Sequence, residues 1–365
     1  MSATTDRIRH IRRLIADGAD EQQVYPGAVW AVGDAAGTLA GGAVGLLDPA
    51  VPQVPMRPDT LFDLASLTKI LAVWSTLGTL WETGRLVLDE PLGAHWPEVA
   101  GRPLGRITAG QLLTHTAGLP LHARLRECFG TDPAAIRAGV LAAAPHRPPG
   151  EAVEYTDRAG LVLGYLAEYR TGRPLDELAA ERIWRPLGMR ATRFGPLPAE
   201  LTTRCAPTEA DPATGAPFRG VVHDPSARLL GGICGIAGVF STAEDLALFL
   251  RHLLDPAARP GPPYKPGRSD GAHGAGPGFG AAWTAQSLTV RTGSLEPARG
   301  LFWQVAPRSD PAADIWVHYG FTGTGMWLSP RLGRWAVLLT NRVRLSRESQ
   351  PLTDLRDAFR ALAFG

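Results

Sequence analysis

Two residues in the stretch DLASLTKILAVW have side chains suited to acyl-transfer chemistry. Ser66 and Lys69 are three positions apart, so on a helix their side chains lie on one face about a turn apart. A serine hydroxyl is a weak nucleophile, and a neighbouring lysine can take its proton when burial disfavours the charged amine. Arginine cannot do this, because its guanidinium keeps its proton in proteins. The chain otherwise uses arginine and has only one other lysine, Lys265.

An isolated S-x-x-K pattern is short and common, and its ordinary explanation is a lysine whose stem follows an apolar helix out to solvent. Two further motifs favour catalysis instead. Tyr155-Thr156-Asp157 occurs in GEAVEYTDRAG, and His318-Tyr319-Gly320 occurs in VHYGFTGTG. The three motifs follow one another along the chain, each with residue types that can take part in proton transfer or substrate binding.

This combination resembles the class C β-lactamase and serine D-Ala-D-Ala carboxypeptidase family, which includes cytosolic esterases and acyltransferases. In that family the second motif is Y-x-N and the third is K-T-G or H-x-G. The resemblance extends over most of the chain from about Asp59 to Val343. Further similar stretches are GRLVLDEPLGAHWPEV, ITAGQLLTHTAGLP, RIWRPLGM, VVHDPSARLLGGICGIAGVFSTAEDL and WAVLLTNRV.

The resemblance implies a role for the nucleophile and for each residue around it. Ser66 would attack a carbonyl carbon and form an acyl-enzyme. Lys69 and Tyr155 would share the proton transfers, and which of the two is the base is left open. The backbone N–H groups of Ser66 and Phe321 would stabilise the oxyanion.

The third motif would border the substrate. Gly320 would let an edge strand approach the substrate without an intervening side chain. His318 occupies the position where many relatives have lysine, so the sequence predicts a weaker, pH-dependent cation there.

Asp157 departs from the family pattern, which usually has asparagine at this position. An ionised aspartate only accepts hydrogen bonds. Next to Lys69 it would favour the charged amine, which shifts the role of base toward Tyr155.

The order of elements predicts an α/β (α+β) fold, and the resemblance implies the β-lactamase/penicillin-binding-protein type. Helical periodicity is found from Ser66 to Thr83, with helices also expected over Thr5 to Ala16 and Thr353 to Ala363. An antiparallel sheet is expected from both termini, flanked by helices, with a mainly helical region between. We expect residues 1–87 and 279–365 to form the sheet region and 88–278 the helical region, together one catalytic unit. The expected strand sequences are GAVWAVG, GTLAGGAVGLL, GLFWQVA, IWVHYG, GTGMWLS and RWAVLLTN.

Composition excludes some classes of function. The net charge of +2 over 365 residues gives no electrostatic reason to bind nucleic acid or an anionic membrane. No run of about eighteen apolar residues occurs, and the polar N-terminus lacks a signal-like apolar segment. We therefore expect a cytoplasmic protein whose cysteines, Cys128, Cys205 and Cys234, are reduced core residues.

Other potential sites have simpler explanations. Ser269 matches G-x-S-x-G but lacks the strand before it and the helix after it. The histidines, including His115 and His223, are not spaced as metal ligands and are taken as structural or supporting residues, so neither a metal nor a cofactor is expected. The glycines of GGICGIAG and Gly320-x-x-Gly323-x-Gly325 lack a phosphate-binding pattern and indicate close backbone packing.

The expected activity is that of an esterase or of a transacylase that moves an acyl group from a small-molecule donor to an amine or alcohol. Arginine-rich composition hints at a GC-rich genome and at natural-product biosynthesis. A β-lactamase or D-Ala-D-Ala peptidase is the alternative enzyme, and a non-catalytic ligand-binding protein of the same fold is the alternative class. A transacylase would need an acceptor pocket that excludes water. Four of the tryptophans are candidates for its lining, with the core as the alternative location: Trp283, Trp303, Trp316 and Trp327. The sequence leaves substrate and oligomeric state open.

Overall fold

The computed structural model describes residues 3–256 and 278–365. Its centre is a six-stranded antiparallel sheet in the order β2-β1-β9-β8-β7-β6, accompanied by a small sheet in the order β3-β5-β4. The strands are β1 Gly27–Asp34, β2 Thr38–Gly45, β3 Phe62–Asp63, β4 Arg193–Phe194, β5 Val239–Ser241, β6 Gln304–Val305, β7 Trp316–Gly320, β8 Thr324–Ser329 and β9 Arg334–Thr340.

Most helices lie between β2 and β6. The α-helices are α1 Ala3–Asp20, α2 Ser75–Glu82, α3 Ala109–Leu113, α4 Leu125–Phe129, α5 Pro133–Ala142, α6 Asp157–Thr171, α7 Leu175–Ala179, α8 Ala199–Thr202, α9 Pro225–Leu229, α10 Ala243–Leu254, α11 Ala281–Ser287 and α12 Gln350–Phe364. Wider π-helical turns cover Lys69–Trp74 and Ala180–Trp184. Short 3₁₀ turns cover Ala65–Leu67, Leu92–Ala94, Pro97–Val99, Pro103–Arg106, Pro311–Ala313 and Arg342–Arg344.

The predicted sheet built from both termini is confirmed. β1, from the N-terminal part, pairs antiparallel with β9, from the C-terminal part, with Ala31 opposite Val337. β1 is buried along nearly its whole length, because helices cover both faces of the sheet, and this explains its continuous apolar sequence. The division into two regions at residues 87/88 and 278/279 stays a prediction.

Two hydrophobic clusters fill the two sides of the sheet. On one side α1 and α12 pack on the strands, with Ile15, Trp30, Trp327 and Phe359 buried between them. On the other side α10 and the helical region enclose a larger cluster. The segment around Ser66 is anchored in this second cluster by Leu64, Leu67 and Ile70.

Some boundaries differ from the sequence prediction. The predicted helix from Ser66 to Thr83 is divided into a 3₁₀ turn, a π-helical segment and α2, and Gly84 ends it in the left-handed region (φ +68°). Of the predicted strand GLFWQVA, only Gln304–Val305 pairs. The small sheet was not predicted, since strands of two or three residues have no detectable periodicity.

The cysteines differ in environment. Cys205 and Cys234 are buried as predicted, and burial raises the pKa of both thiols to about 12. The prediction is wrong for Cys128, which is exposed. Ser269, with its G-x-S-x-G match, lies outside the described residues. Within the described ranges, no helix is both long and apolar enough to cross a membrane.

Candidate active site

The chain turns sharply just before Ser66. Ala65 adopts a left-handed conformation (φ +47°), which a residue with a Cβ adopts only when its surroundings hold it there. The buried carboxylate of Asp63 does so, accepting hydrogen bonds from the N–H of Ala65 (2.8 Å) and of His223 (2.7 Å). Burial raises the pKa of Asp63 against the lowering effect of these donors. The turn leaves Ser66 half-buried at the wall of a cavity.

Lys69 is fully buried and all three of its donors are used. Its Nζ donates to Ser66 Oγ (3.0 Å), Asp157 Oδ1 (2.8 Å) and the carbonyl of Ile236 (3.0 Å). Burial alone would lower the lysine pKa, but the negative charge of Asp157, helped by Tyr155, outweighs it and raises the pKa. An ammonium with three acceptors has no free lone pair with which to take the proton of Ser66. The structure therefore supports a charged lysine, in the direction inferred from Asp157.

Paired glycines bring these groups close enough to contact one another. A Cβ on Gly235 would lie 2.0 Å from the carbonyl oxygen of Gly160, and one on Gly160 would lie 3.1 Å from Lys69 Cε. The backbone of α6 can therefore press directly on the segment that presents the Ile236 carbonyl. The glycine-rich stretch GGICGIAG serves this close packing, as the sequence indicated.

Tyr155 stands at the start of α6, beside the nucleophile. Its side chain is 38% exposed, and its ring centre is 5.2 Å from Lys69 Nζ and 5.6 Å from Arg299 Cζ. Two cations at this distance would stabilise a negative charge on the phenolic oxygen, the form in which a tyrosine can accept a proton. The His115 ring, 4.6 Å away, supports the tyrosine from the other direction.

His115 holds the second motif in place. Its Nδ1 accepts a hydrogen bond from the N–H of Thr156 (3.3 Å), and its ring stacks on Phe302 at 5.1 Å. Burial lowers its pKa well below the usual value, and the cations of Arg299 and Lys69 add to this. A neutral ring is the form that accepts from an N–H, so His115 is a supporting residue.

His318 differs from the expectation of a pH-dependent cation. The side chain is buried, and burial together with Lys69 and Arg299 lowers its pKa to about 3. It is therefore neutral near pH 7, and its Nδ1–H donates to the carbonyl of Phe302 (3.0 Å). Nε2 remains an acceptor with no hydrogen-bond partner in the described part of the chain. His318 borders the cavity as a neutral acceptor, and the cation there is Arg299.

Gly320 is required for packing against protein, a reason that the sequence did not indicate, and the expected approach to a substrate stays a prediction. A Cβ would lie 2.4 Å from the carbonyl oxygen of Leu64 and 2.1 Å from Thr324 Oγ1. β7 is paired on both sides at Trp316 and Val317, and only its His318–Gly320 half is a free edge facing the cavity. The glycine therefore brings this free edge against the segment that carries Ser66.

The expected oxyanion donors are also close to this edge. Ser66 lies in the first turn of its helix, where N–H groups have no intrahelical acceptor. Phe321 directly follows β7, and among residues 3–256 and 278–365 no acceptor is recorded for its N–H. Its ring stacks on His223 at 5.5 Å, so His223, like His115, supports the site rather than entering it.

A cavity of about 460 Å³ connects these groups. Of the predicted residues, Ser66, Tyr155, His318, Gly320 and Phe321 line it, while Lys69 and Asp157 lie behind Ser66. The four tryptophans proposed for an acceptor pocket are fully buried and absent from this lining, so the core explanation holds for them. In the described ranges no three His, Cys, Asp or Glu side chains converge as metal ligands.

Arg299 was not predicted from the sequence. It lies in the loop RTGSLEPARG, is 94% buried and lines the cavity next to Tyr155. A single arginine in a loop of an arginine-rich chain has no periodicity or motif to distinguish it, and only the fold brings it to the site.

The β-lactamase family model matches residues 11–359, and the chain belongs to this family. A putative D-alanyl-D-alanine carboxypeptidase of Escherichia coli K12 is 28% identical in an alignment of 323 residues that covers 78% of this chain and 69% of the relative.

Solved structures share the fold. EstCE1, described as a hydrolase with promiscuous acyltransferase activity, has a TM-score of 0.73 at 19% identity over 100% of both chains. A simvastatin synthase (LovD) mutant from Aspergillus terreus has a TM-score of 0.72 at 20% identity, covering 100% of this chain and 98% of that one. These likenesses show that the chain has the same fold as both enzymes.

Proposed function

We propose that this protein is a serine acyl-enzyme hydrolase or acyltransferase that acts on a carboxylic ester or amide. The observation that carries the proposal is the hydrogen bond of Lys69 Nζ to Ser66 Oγ, at the wall of a cavity bordered by Tyr155 and the free edge of β7. A cytoplasmic location and a role in natural-product biosynthesis belong to the proposal and derive from the sequence alone.

The proposed reaction begins with Tyr155 as the phenolate, held beside the charged Lys69. Ser66 Oγ attacks the carbonyl carbon of the donor as its proton passes to the phenolate oxygen, which becomes neutral. Lys69 stays charged and stabilises first the phenolate and then the serine oxygen as the proton leaves it. The N–H groups of Ser66 and Phe321 stabilise the oxyanion. Tyr155 then donates the proton to the leaving group, and an alcohol, an amine or water takes up the acyl group in the reverse sequence.

The test is intact-protein mass spectrometry after mixing wild type and Ser66→Ala with an activated acyl ester, with and without an added amine. We expect one acyl group to add to wild type only, since the alanine variant lacks the nucleophile. Faster loss of the adduct with amine, with amide as product, would establish acyl transfer, and loss to water alone would establish an esterase. Absence of both adduct and turnover across a panel of acyl donors would contradict the proposal and favour ligand binding without catalysis.

The second candidate is a D-Ala-D-Ala peptidase or β-lactamase, supported by the similarity to the putative D-alanyl-D-alanine carboxypeptidase of Escherichia coli. Arg299 at the cavity is compatible with a substrate carboxylate. Release of D-alanine from a peptide ending in D-Ala-D-Ala, or hydrolysis of a chromogenic cephalosporin, faster than turnover of simple esters would select this candidate.

A further inference from the structure

The cavity beside Ser66 is strongly cationic. Four arginines line it, together with neutral residues only, and no lining residue is acidic. These arginines are Arg299, Arg342, Arg347 and Arg356. Only Arg347 is neutralised by an ion pair, with Glu209 on the side away from the lining. The other three have no carboxylate within ion-pair distance in the described part of the chain.

The three unpaired arginines are incompletely hydrogen-bonded. Arg299 is 94% buried and Arg342 is 96% buried. In both of these and in Arg356, the Nε–H is buried without an acceptor among the described residues. Unpaired positive charge at a partly desolvated site also costs free energy, which a bound anion in the cavity would recover.

The arginines are also held rigidly. Arg342 donates to the carbonyls of Phe321 (2.7 Å) and Glu348 (2.8 Å), and Arg356 donates to the carbonyl of Thr324 (2.6 Å). Arg299 donates to Gln304 Oε1 (3.1 Å). Arg299 and Arg356 each donate through one terminal nitrogen and Arg342 donates through both, so the head groups are held in place and less entropy is lost when a ligand binds.

The number of charges distinguishes between classes of ligand. A single carboxylate provides two oxygens and one negative charge, which is too little for three separate guanidinium groups. A phosphate monoester has three free oxygens and close to two negative charges near pH 7. Planar guanidinium forks pair well with phosphate oxygens.

We propose that the substrate of this site carries a phosphate group on the part that does not react, bound by Arg299, Arg342 and Arg356 while its acyl carbon lies at Ser66. This inference rests on the proposed acyl-transfer function. It names a phosphorylated ester or thioester as the class of acyl donor.

The kinetic experiment compares three acetyl esters with alcohol parts of similar length: glycerol phosphate, a glycolate-type alcohol with one carboxylate, and uncharged glycerol. The readout is the ratio of kcat/KM for the phosphate ester to that for the uncharged ester, because a ratio cancels any general loss of activity in a variant. We expect wild type to prefer the phosphate ester by at least about tenfold, and Arg342→Gln and Arg356→Gln each to reduce this preference by about tenfold. Arg137→Gln, an arginine outside the cavity, is the matched control and should keep the wild-type ratio.

A direct binding experiment separates this inference from the proposed function. Isothermal titration calorimetry with glycerol phosphate on the Ser66→Ala variant should show one site, weakened about tenfold by an added Arg356→Gln. If glycerol phosphate binds but no ester is turned over, the phosphate site is supported and the proposed acyl-transfer function is contradicted. Turnover of esters with equal kcat/KM for phosphate and uncharged donors, or a greater preference for the carboxylate donor, would overturn the inference while leaving the function intact.

Discussion

At the scale of single residues, the charge state of Lys69 determines which group can accept the proton of Ser66. Lys69 is an ammonium satisfied by three acceptors, and Asp157 is one of them. The family pattern has asparagine at this position. An asparagine at position 157 could still accept the hydrogen bond from Lys69. Because it is uncharged, it would lack the negative charge that raises the lysine pKa.

The pairing of Asp157 with Lys69 predicts that Asp157→Asn partly restores acylation to a Tyr155→Phe variant. Tyr155→Phe is expected to slow acylation by at least about a hundredfold, because it removes the proton acceptor. Adding Asp157→Asn should restore the rate about tenfold, since a lysine with a lower pKa is more often neutral and can act as the base. Pre-steady-state release of a chromophore from an activated ester measures this step.

Glu127→Gln, which changes an exposed carboxylate outside the cavity lining, is the control and should give no rescue of Tyr155→Phe. If Tyr155→Phe acylates at the wild-type rate, the tyrosine is not the base. If the double variant is no faster than Tyr155→Phe, the role assigned to Asp157 is wrong.

At the scale of elements, the site depends on how closely a strand approaches a turn. The free half of β7 lies against the chain that leads into Ser66, and Gly320 allows the contact. Close packing of this kind is specific for glycine, because one of the opposing atoms, the carbonyl oxygen of Leu64, belongs to the backbone and cannot turn aside as a side chain can.

Gly320→Ala is expected to lower the free energy of unfolding by about 1–3 kcal/mol, the usual cost of overpacking. It should also reduce the acylation rate, since the strand must move away from the nucleophile. Gly37→Ala is the matched control, because a Cβ at Gly37 meets no atom within 4 Å and its φ is not positive. Urea unfolding and ester turnover on both variants provide the comparison, and equal stability and rate for Gly320→Ala and wild type would exclude the close contact.

At the scale of the whole molecule, the chain ends are joined through the central sheet. Asn341 follows β9, is 2% exposed, accepts a hydrogen bond from the N–H of Gly27 (3.0 Å) and donates to the carbonyl of Leu47 (2.9 Å). It therefore links the C-terminal strand to both N-terminal strands.

Asn341→Ala is expected to reduce the free energy of unfolding by about 2–4 kcal/mol, because it leaves two buried backbone groups without partners. The measurement is the midpoint of urea unfolding. Gln22→Ala, at an exposed polar position, is the control. A midpoint for Asn341→Ala within error of that control would show that the link contributes nothing to stability.

Stability of the whole molecule should also depend on pH through His318. Its pKa is about 3 in the folded protein and 6.5 ordinarily, so between these values the unfolded state binds more protons. The stabilising effect of the neutral ring is present above pH 6.5 and is lost as the pH falls toward 3. His115, whose pKa is also lowered, acts in the same direction.

His318→Gln should therefore flatten the fall in unfolding free energy between pH 6.5 and 4, by an amount on the order of 3 kcal/mol at the acidic end. His10→Gln, a substitution of an exposed histidine on α1, should leave the slope unchanged. Chemical denaturation at several pH values measures the slope for each protein, and a slope for His318→Gln as steep as that of wild type would contradict burial of a neutral ring.

The sequence by itself determined the antiparallel sheet built from both termini, the helical region between them and the family. The sheet and the helical region follow from local periodicity, and the family follows from the resemblance of S-x-x-K, Y-x-D, H-x-G and the stretches between them to known members. It also indicated the charged state of Lys69, since an aspartate in the second motif had to lie near the lysine of the first.

Only the tertiary structure decided the rest of the site. The low pKa of His318, the reason for Gly320 and the arginines of the cavity depend on burial and on contacts between segments far apart in the chain. Arg299 is a clear case, because it is one arginine of many until the fold places it 5.6 Å from the Tyr155 ring. Desolvation and electrostatic interaction act through space, and a sequence pattern specifies them only when the fold has brought the groups together.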